Sequence, residues 1–415
     1  MAERVGPVCV IGAGIAGASA AFHLIEAGRT DVVVVDAGEP FSGTTPAGAG
    51  FVARFGADHN RRLGGCTVAL QDYALSFYRA LHEDGADLEF AHNGNVVLAR
   101  TPDGLERLAD GIVGHPDVGP GTRRLGCDEV EELMLGTVDP ATVAGGVLMP
   151  EGIQLTTALA QKALLDRVET AGVEVHWSTP VTGVSVRDGA VTGVHTVRGT
   201  IEASAVVFAG GAWNSDLLSM VDRRLPLLPM VATRFVSEAA GLPAEMPTVQ
   251  CPELQLWLRE LHGGFSWGGG FAYRLVSALV AEGLEFGYER PVSSSLIEAQ
   301  YAAQATIAEV FPALSGLSTR ESIQGIPVYT ADGGLYIGPV PEIDGLWALA
   351  GDSESGITHG PGMGRMVAEL IVGDDPFTDP RPFRLDRVDP AAYPDEASIV
   401  AAMADDRIAT AANQS

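Results

Sequence analysis

The stretch "VCVIGAGIAGASAAFHL", residues 8–24, constrains the fold of this chain more than any other. Val8 to Ile11 are all apolar, as in a strand buried on both faces, and Ala16 to Ala27 reads as a helix closed by Gly28. A second strand, Asp31 to Val35, ends in Asp36. Strand, tight turn, helix and strand thus follow one another within about 30 residues. Gly12 permits the turn, Gly14 clears a path for a pyrophosphate, and Gly17 lets the helix pack close, with Ala21 continuing its small-residue face. Free N–H groups at the helix start, around Ile15 and Ala16, bind phosphates without a lysine. Asp36, followed by Ala37, stands where a carboxylate accepts hydrogen bonds from ribose hydroxyls. The unit predicts a dinucleotide site.

That prediction leaves NAD and FAD both open, and the remaining sequence separates them. Helices are expected over 66–85 and 102–113, with a strand at Asn95 to Ala99 between them, and again over Thr157 to Ala171. Three short strand signals, 173–178, 181–189 and 190–199, read as a small antiparallel meander. Residues 203–218 give strand, glycine turn and helix start, and 226–290 hold strand-like runs rich in glycine and aromatic residues. Ser294 to Phe311 reads as a helix, and 345–373 again as strand, glycine loop and helix. Beyond Pro376 the chain is rich in Pro and Asp and is expected to wrap the surface or fray. "GFSWGGG" lacks a following helix and acid, so it reads as a hairpin bend rather than a second nucleotide turn. With no second unit to take a nicotinamide, the one dinucleotide reads as a resident FAD reduced by the substrate.

The expected fold is α/β (α+β), a Rossmann-like FAD-binding part with an inserted, mostly antiparallel sheet that holds substrate. The discontinuous FAD-binding part takes residues 1–85, 141–225 and 321–380, the substrate part 86–140 and 226–320, and a tail 381–415. At 415 residues, with 46% hydrophobic and 19% charged residues, the chain is long enough for such a division. A net charge of −27 with a single lysine, Lys162, makes nucleic acid and membrane surfaces poor partners. Cys9, Cys66, Cys127 and Cys251 include no CxxC pair, so neither zinc nor a disulfide framework is expected. Neither a signal peptide nor a membrane span is legible, and the expected location is the cytoplasm.

Residues 5–385 resemble the FAD-dependent amine and amino-acid oxidases, the family that includes D-amino-acid oxidase, glycine oxidase and monomeric sarcosine oxidase. The resemblance rests on "VIGAGIAGASAAFHL…VVVVDAGEP", "GTTPAGAGFV", "VVFAGGAWNSDLL" and "TADGGLYIGPVPEIDGLWALAGDSESGITHGPGMGRMVAELI". It implies hydride transfer from a carbon beside nitrogen to flavin N5, hydrolysis of the imine, and reoxidation by O2 or another acceptor. It also carries FAD contacts to Thr44 and Thr45 of the loop, Val181, Gly210 and Trp213 near adenosine, and Gly351, Gly356, Ile357 and Thr358 near the flavin. Ala47 replaces the His that attaches FAD in some relatives, and no cysteine lies near the C-terminal signature, so noncovalent FAD is expected.

Two departures bear on substrate. Pro327 stands at or next to the position of the arginine that clamps the substrate carboxylate in many relatives. Either Arg54, Arg274 or Arg290 replaces it, or the substrate has no α-carboxylate. The lysine that speeds O2 reduction in sarcosine oxidases is also missing, with Thr358 at its place, which leaves oxidase and dehydrogenase both open. Tyr329, His359, Arg54, Trp267 and Tyr273 are the candidate substrate-pocket residues. Alternatives are a single-component FAD hydroxylase using NAD(P)H and a flavin-binding protein without turnover. The oligomeric state is left open.

Overall fold

The structure, a computed structural model, describes residues 6–54, 65–270 and 273–403. Strand β1 (Val8–Ile11) lies between β2 (Val32–Val35) and β12 (Ala205–Phe208), parallel to both, with Val8 opposite Val32 and Ala205. All four β1 residues are buried, because elements cover the sheet on both faces. β8 (Glu174–His176) extends this sheet beyond β2, and β21 (Leu346–Ala350) and β20 (Tyr336–Pro339) extend it beyond β12. The expected meander is therefore corrected at its first strand. "VEVHWS" pairs in parallel with β2, and the meander is β9 (Val181–Arg187), β10 (Ala190–Thr196) and β11 (Gly199–Glu202).

A ten-stranded sheet forms a roof over the parallel sheet's nucleotide end. Its order is β17 (Tyr273–Leu275), β13 (Leu227–Ala239), β16 (Gly264–Gly268), β15 (Leu256–Leu261), β14 (Thr248–Cys251), β4 (Asn95–Ala99), β6 (Gly145–Met149) and β5 (Arg123–Leu125). β18 (Thr319–Gly325) and β19 (Val328–Thr330) also pair with the long β13. Every pairing is antiparallel except β14 with β4. "GFSWG" is strand β16 itself. The hairpin bend falls before it, at His262 and Gly263, both with positive φ. A short pair, β3 (Phe51–Val52) with β7 (Ile153–Gln154), lies between the two large sheets in the chain's path.

The helices in chain order are α1 (Ile15–Glu26), α2 (Gly65–Glu83), α3 (Pro102–Leu108), α4 (Cys127–Leu133), α5 (Thr157–Thr170), α6 (Asn214–Ser219), α7 (Val276–Ala281), α8 (Ser294–Val310), α9 (Gly356–Val372) and α10 (Glu396–Ala402). A π-helical turn, Ala109–Val113, prolongs α3. Thr101 caps α3 by accepting the Gly104 N–H, and Pro102 sits at the first helical position, where its missing N–H costs nothing. No helix among the described residues is long and apolar enough to cross a membrane.

α9 lies against α1 with backbones almost touching: a Cβ on Gly364 would stand 2.5 Å from the Ala20 nitrogen. Pro361 interrupts the α9 ladder, since it has no N–H for the Ile357 carbonyl. The buried Tyr78 hydroxyl of α2 donates to that carbonyl at 3.0 Å instead. The C-terminal segment does more than wrap the surface. Phe383 is fully buried, and Ile399, Val400 and Met403 pack on Leu228, Met230 and Tyr329. Tyr78→Phe removes the donor and leaves a buried carbonyl unsatisfied. The expected loss is about 1–3 kcal/mol, read as a lower midpoint of thermal unfolding.

Candidate active site

One cavity of about 610 Å³ runs from the β1–α1 turn to the underside of the roof, a size suited to a bound small molecule. At its first end Gly12 has φ +105°, and a Cβ there would lie 2.4 Å from the Ala209 carbonyl oxygen. Gly14 faces open space, its nearest neighbour being Thr45 Oγ1 at 3.4 Å from an added Cβ. Thr45 Oγ1 accepts the Ile15 N–H at 3.0 Å, and Gln161 of α5 donates to the Ala13 carbonyl at 2.7 Å. Gly17 does not line the cavity. A Cβ there would meet the Gly12 carbonyl oxygen at 1.8 Å, so its role is the close packing of α1 on the turn.

The Asp36 carboxylate accepts the Ala13 N–H at 2.7 Å and the Gly38 N–H at 2.8 Å. Burial pushes its pKa above the ordinary carboxylate value, and the two backbone bonds pull the other way. Beyond it Ala37, Val181, Gly210 and Trp213 line the cavity. Trp213 stacks on Phe286 at 5.5 Å and 8°, its Nε1 donates to the Gly287 carbonyl, and Tyr288 completes this wall. Phe286 and Tyr288 come from "EFGYER", where no periodic signal marks a nucleotide contact.

The loop over the cavity's middle is held from several sides. Thr44 Oγ1 accepts the Ile326 N–H at 3.0 Å, Arg290 donates to the Phe41 and Gly43 carbonyls, and Arg234 donates to the Pro46 and Ala47 carbonyls. Gly351, Gly356 and Ile357 line the opposite side at the start of α9. Thr358 faces away and donates to the Phe51 carbonyl at 3.1 Å, fixing β3. Asp352, in the same loop, is half-buried, and loss of solvent around it pushes its pKa up to about 6. The glycine cradle, the doubly bonded Asp36, the stacked indole and the half-buried Asp352 fit FAD's pyrophosphate, ribose, adenine and ribityl chain in turn.

The second end is a chamber with aromatic walls. Val97, Gln250, Trp257 and Gly268 stand in one cross-strand row, each opposite the next, so their side chains share a face. Gly268 contributes none, and the Trp257 indole occupies its place: a Cβ on Gly268 would be 2.2 Å from Trp257 Cζ2. Tyr273 Oη accepts the Trp257 Nε1–H at 3.1 Å, and Phe51 meets that indole edge-on. Tyr329, Met403 and, from α3, Arg107 also line this cavity.

The model of the DAO family, described as FAD dependent oxidoreductase, matches residues 7–370. The chain belongs to the DAO family. It is 28% identical over 379 residues to 4-methylaminobutanoate oxidase (formaldehyde-forming) of Paenarthrobacter nicotinovorans, covering 89% of this chain and 44% of that protein. Glycine oxidase of Pseudomonas aeruginosa is 27% identical over 405 residues, covering 92% of this chain and 98% of that one. The crystal structure of glycine oxidase from Geobacillus kaustophilus superimposes with a TM-score of 0.79 at 25% identity, over 92% of this chain and 98% of that one. The chain spans less than half the length of several curated relatives it matches, the 4-methylaminobutanoate oxidase and the mammalian dimethylglycine dehydrogenases among them. Among the described residues, Ala47 lines the cavity where some relatives carry an attaching His, and none of the four cysteines does.

Of the substrate-pocket residues expected in this DAO-family chain, Tyr329 alone lines the cavity. Tyr273 acts through Trp257. Trp267 is the strand neighbour of Gly268 and so points to the other face, packed on Phe235 in the roof's core. His359 is fully buried in α9, its Nε2 3.3 Å from Gln71 Nε2. Arg54 pairs with Asp72, Arg274 with Glu282, and Arg290 with the loop carbonyls above, so none of the three replaces the missing clamp in the cavity. Pro327 does line it. Sequence reasoning missed Arg107, Arg234, Gln250, Trp257 and Met403. For Trp257 the alternation of "LQLWLREL" was a usable signal. For the others, only the pairing of distant strands reveals the position.

Two measurements test these placements. Gly268→Ala forces the Trp257 indole aside and is expected to cost about 1–3 kcal/mol of overpacking, read by thermal unfolding. For Asp352 the folded pKa lies above the unfolded value, so ionising the carboxyl works against the fold as pH rises from 3.8 to about 6. Asp352→Asn apoprotein should match wild type below about pH 4 and exceed its stability above about pH 6, by about 3 kcal/mol.

Proposed function

We propose that the protein oxidises a C–N bond of a small amine that also carries a carboxylate, giving an imine that water hydrolyses, with O2 or another small acceptor taking up the electrons. The observation that carries this reading is the continuity of the FAD cradle with an aromatic chamber whose walls, among the described residues, hold no acid. The lining acids, Asp36, Asp216, Asp352 and Glu354, belong to the cradle and its loops. The names of the relatives, which act on methylaminobutanoate, dimethylglycine and glycine, favour a carboxylated amine. Nearly the whole of glycine oxidase is matched in length.

Bound FAD supplies the two-electron acceptor, and the chain supplies placement. Phe51, Trp257 and Tyr329 form apolar surfaces that orient the reacting C–H bond and displace water. The same surroundings disfavour an ammonium ion, so the nitrogen sheds its proton on entry and its lone pair is free to assist loss of hydride. Loop carbonyls held by Arg234 and Arg290 keep the cofactor side of this chamber in place. The four unpaired cysteines suit a reducing compartment, in keeping with the cytoplasm.

The test is to mix the yellow holoprotein without oxygen with panels of amines and amino acids. Loss of the oxidised flavin's visible absorption with an amine is the expected result. Substrate-stimulated consumption of NADPH, with no amine able to bleach the flavin, would replace this reading by the hydroxylase one.

A further inference from the structure

The charged residues lining the cavity, among those described, are four acids and two arginines. Arg234 is committed: its three nitrogens donate to the Pro46 and Ala47 carbonyls and to Ser266 Oγ, and it is buried. Arg107 differs. It projects from the last turn of α3, and among the described residues it makes no hydrogen bond or ion pair. Its sequence neighbour Glu106 is taken by Arg124, and Asp103 and Asp110, a turn to either side, do not engage it. Among the described residues it is the one uncommitted cation in the lining.

Its place relative to the cofactor follows from strand order. The loops of the flavin side, Gly325 to Tyr329, join β18 and β19, which pair with β13. From β13 the roof runs through Gly268 on β16, Trp257 on β15 and Gln250 on β14 to Val97 on β4. At about 4.8 Å between strands, Val97 stands about 14 Å from Gly268. Thr101 and α3 follow directly after β4, so Arg107 occupies the end of this row away from the cofactor. A carboxylate on the reacting carbon itself would lie beside Tyr329 and Pro327, on the flavin side, where the lining cation among the described residues is Arg234, already committed to loop carbonyls and Ser266.

We propose that Arg107 binds the substrate's carboxylate, and that the substrate is therefore an ω-amino acid, an amine whose carboxylate is separated from the oxidised C–N bond by several carbons along the Trp257–Gln250–Val97 row. This rests on the amine-oxidising reading above and adds where the acid sits. A guanidinium at the mouth of a groove whose Trp257–Gln250–Val97 row carries no charge selects by charge and by length together.

The experiment uses the holoprotein, wild type and the variants Arg107→Gln and Arg107→Lys. Anaerobic flavin reduction is followed with a ladder of ω-amino carboxylates and their N-methyl forms, from the α-amino acid upward, and with uncharged amines of matched length. In wild type, half-saturation should improve as the carboxylate moves away from nitrogen. Arg107→Gln should reduce the preference for carboxylated over uncharged amines about 10- to 100-fold, through half-saturation rather than limiting rate, and Arg107→Lys should restore part of it. An α-amino acid as best substrate, or an Arg107→Gln protein with wild-type preference, overturns the proposal. If no amine bleaches the flavin, the functional reading fails separately. The same ladder of unreactive ω-carboxylates is then titrated against the flavin spectrum, where Arg107-dependent binding upholds the anchor and Arg107-independent binding removes it.

Discussion

Backbone meeting backbone is the contact on which the rest of this structure depends. α1 approaches the Gly12 turn so closely that a single Cβ at Gly17 would overlap the Gly12 carbonyl oxygen. α9 approaches α1 almost as closely at Gly364. These contacts set the height of the cradle floor and the position of the α9 start that faces it. At Gly12, Gly17 and Gly364 no side chain fits without displacing backbone. Side chains from other elements satisfy the loose polar groups of the nucleotide end: Gln161 on the Ala13 carbonyl, Tyr78 on the Ile357 carbonyl, Asn214 on the Gly210 N–H.

The chamber is built on a different principle. The roof faces it with one pleat of a largely antiparallel sheet, and alternation decides which residues reach it. Gly268 and Trp267 are neighbours, yet one leaves room for an indole above the cavity and the other fills the core behind it. Arginine is dealt with in the same way. Several arginines lie near the site, but Arg234 and Arg290 are spent on loop carbonyls, and Arg54 and Arg274 on carboxylates. Position within the pairing pattern, and not residue type, separates a structural cation from one free to meet a ligand.

The C-terminal segment links the two parts. Arg387 lies over the Tyr336 ring and pairs with Asp332, which ties the tail to the strands around the flavin side. α10 then brings Met403 to the cavity wall beside Tyr329. A stretch whose composition suggests a surface strap thereby closes one side of the chamber.

Much of the cradle was legible in order along the chain. The glycine spacing, Asp36 at its strand end and the 345–373 strand–loop–helix signal are local patterns, and local sterics leave them a single conformation. That is what the sequence by itself determined: the nucleotide turn, the elements around it and the kinship they carry. Trp267 and His359 are candidates by nearness in sequence to the flavin-side loops and Arg54 as a stand-in for the missing clamp, and neither criterion says which way a side chain points. Register in the roof sheet, the turn of α3 over β4 and the return of α10 decided the chamber. The join that completes the row, Val97 opposite Gln250, pairs residues more than a hundred positions apart; it is fixed by burial of whole faces, and no local propensity encodes it.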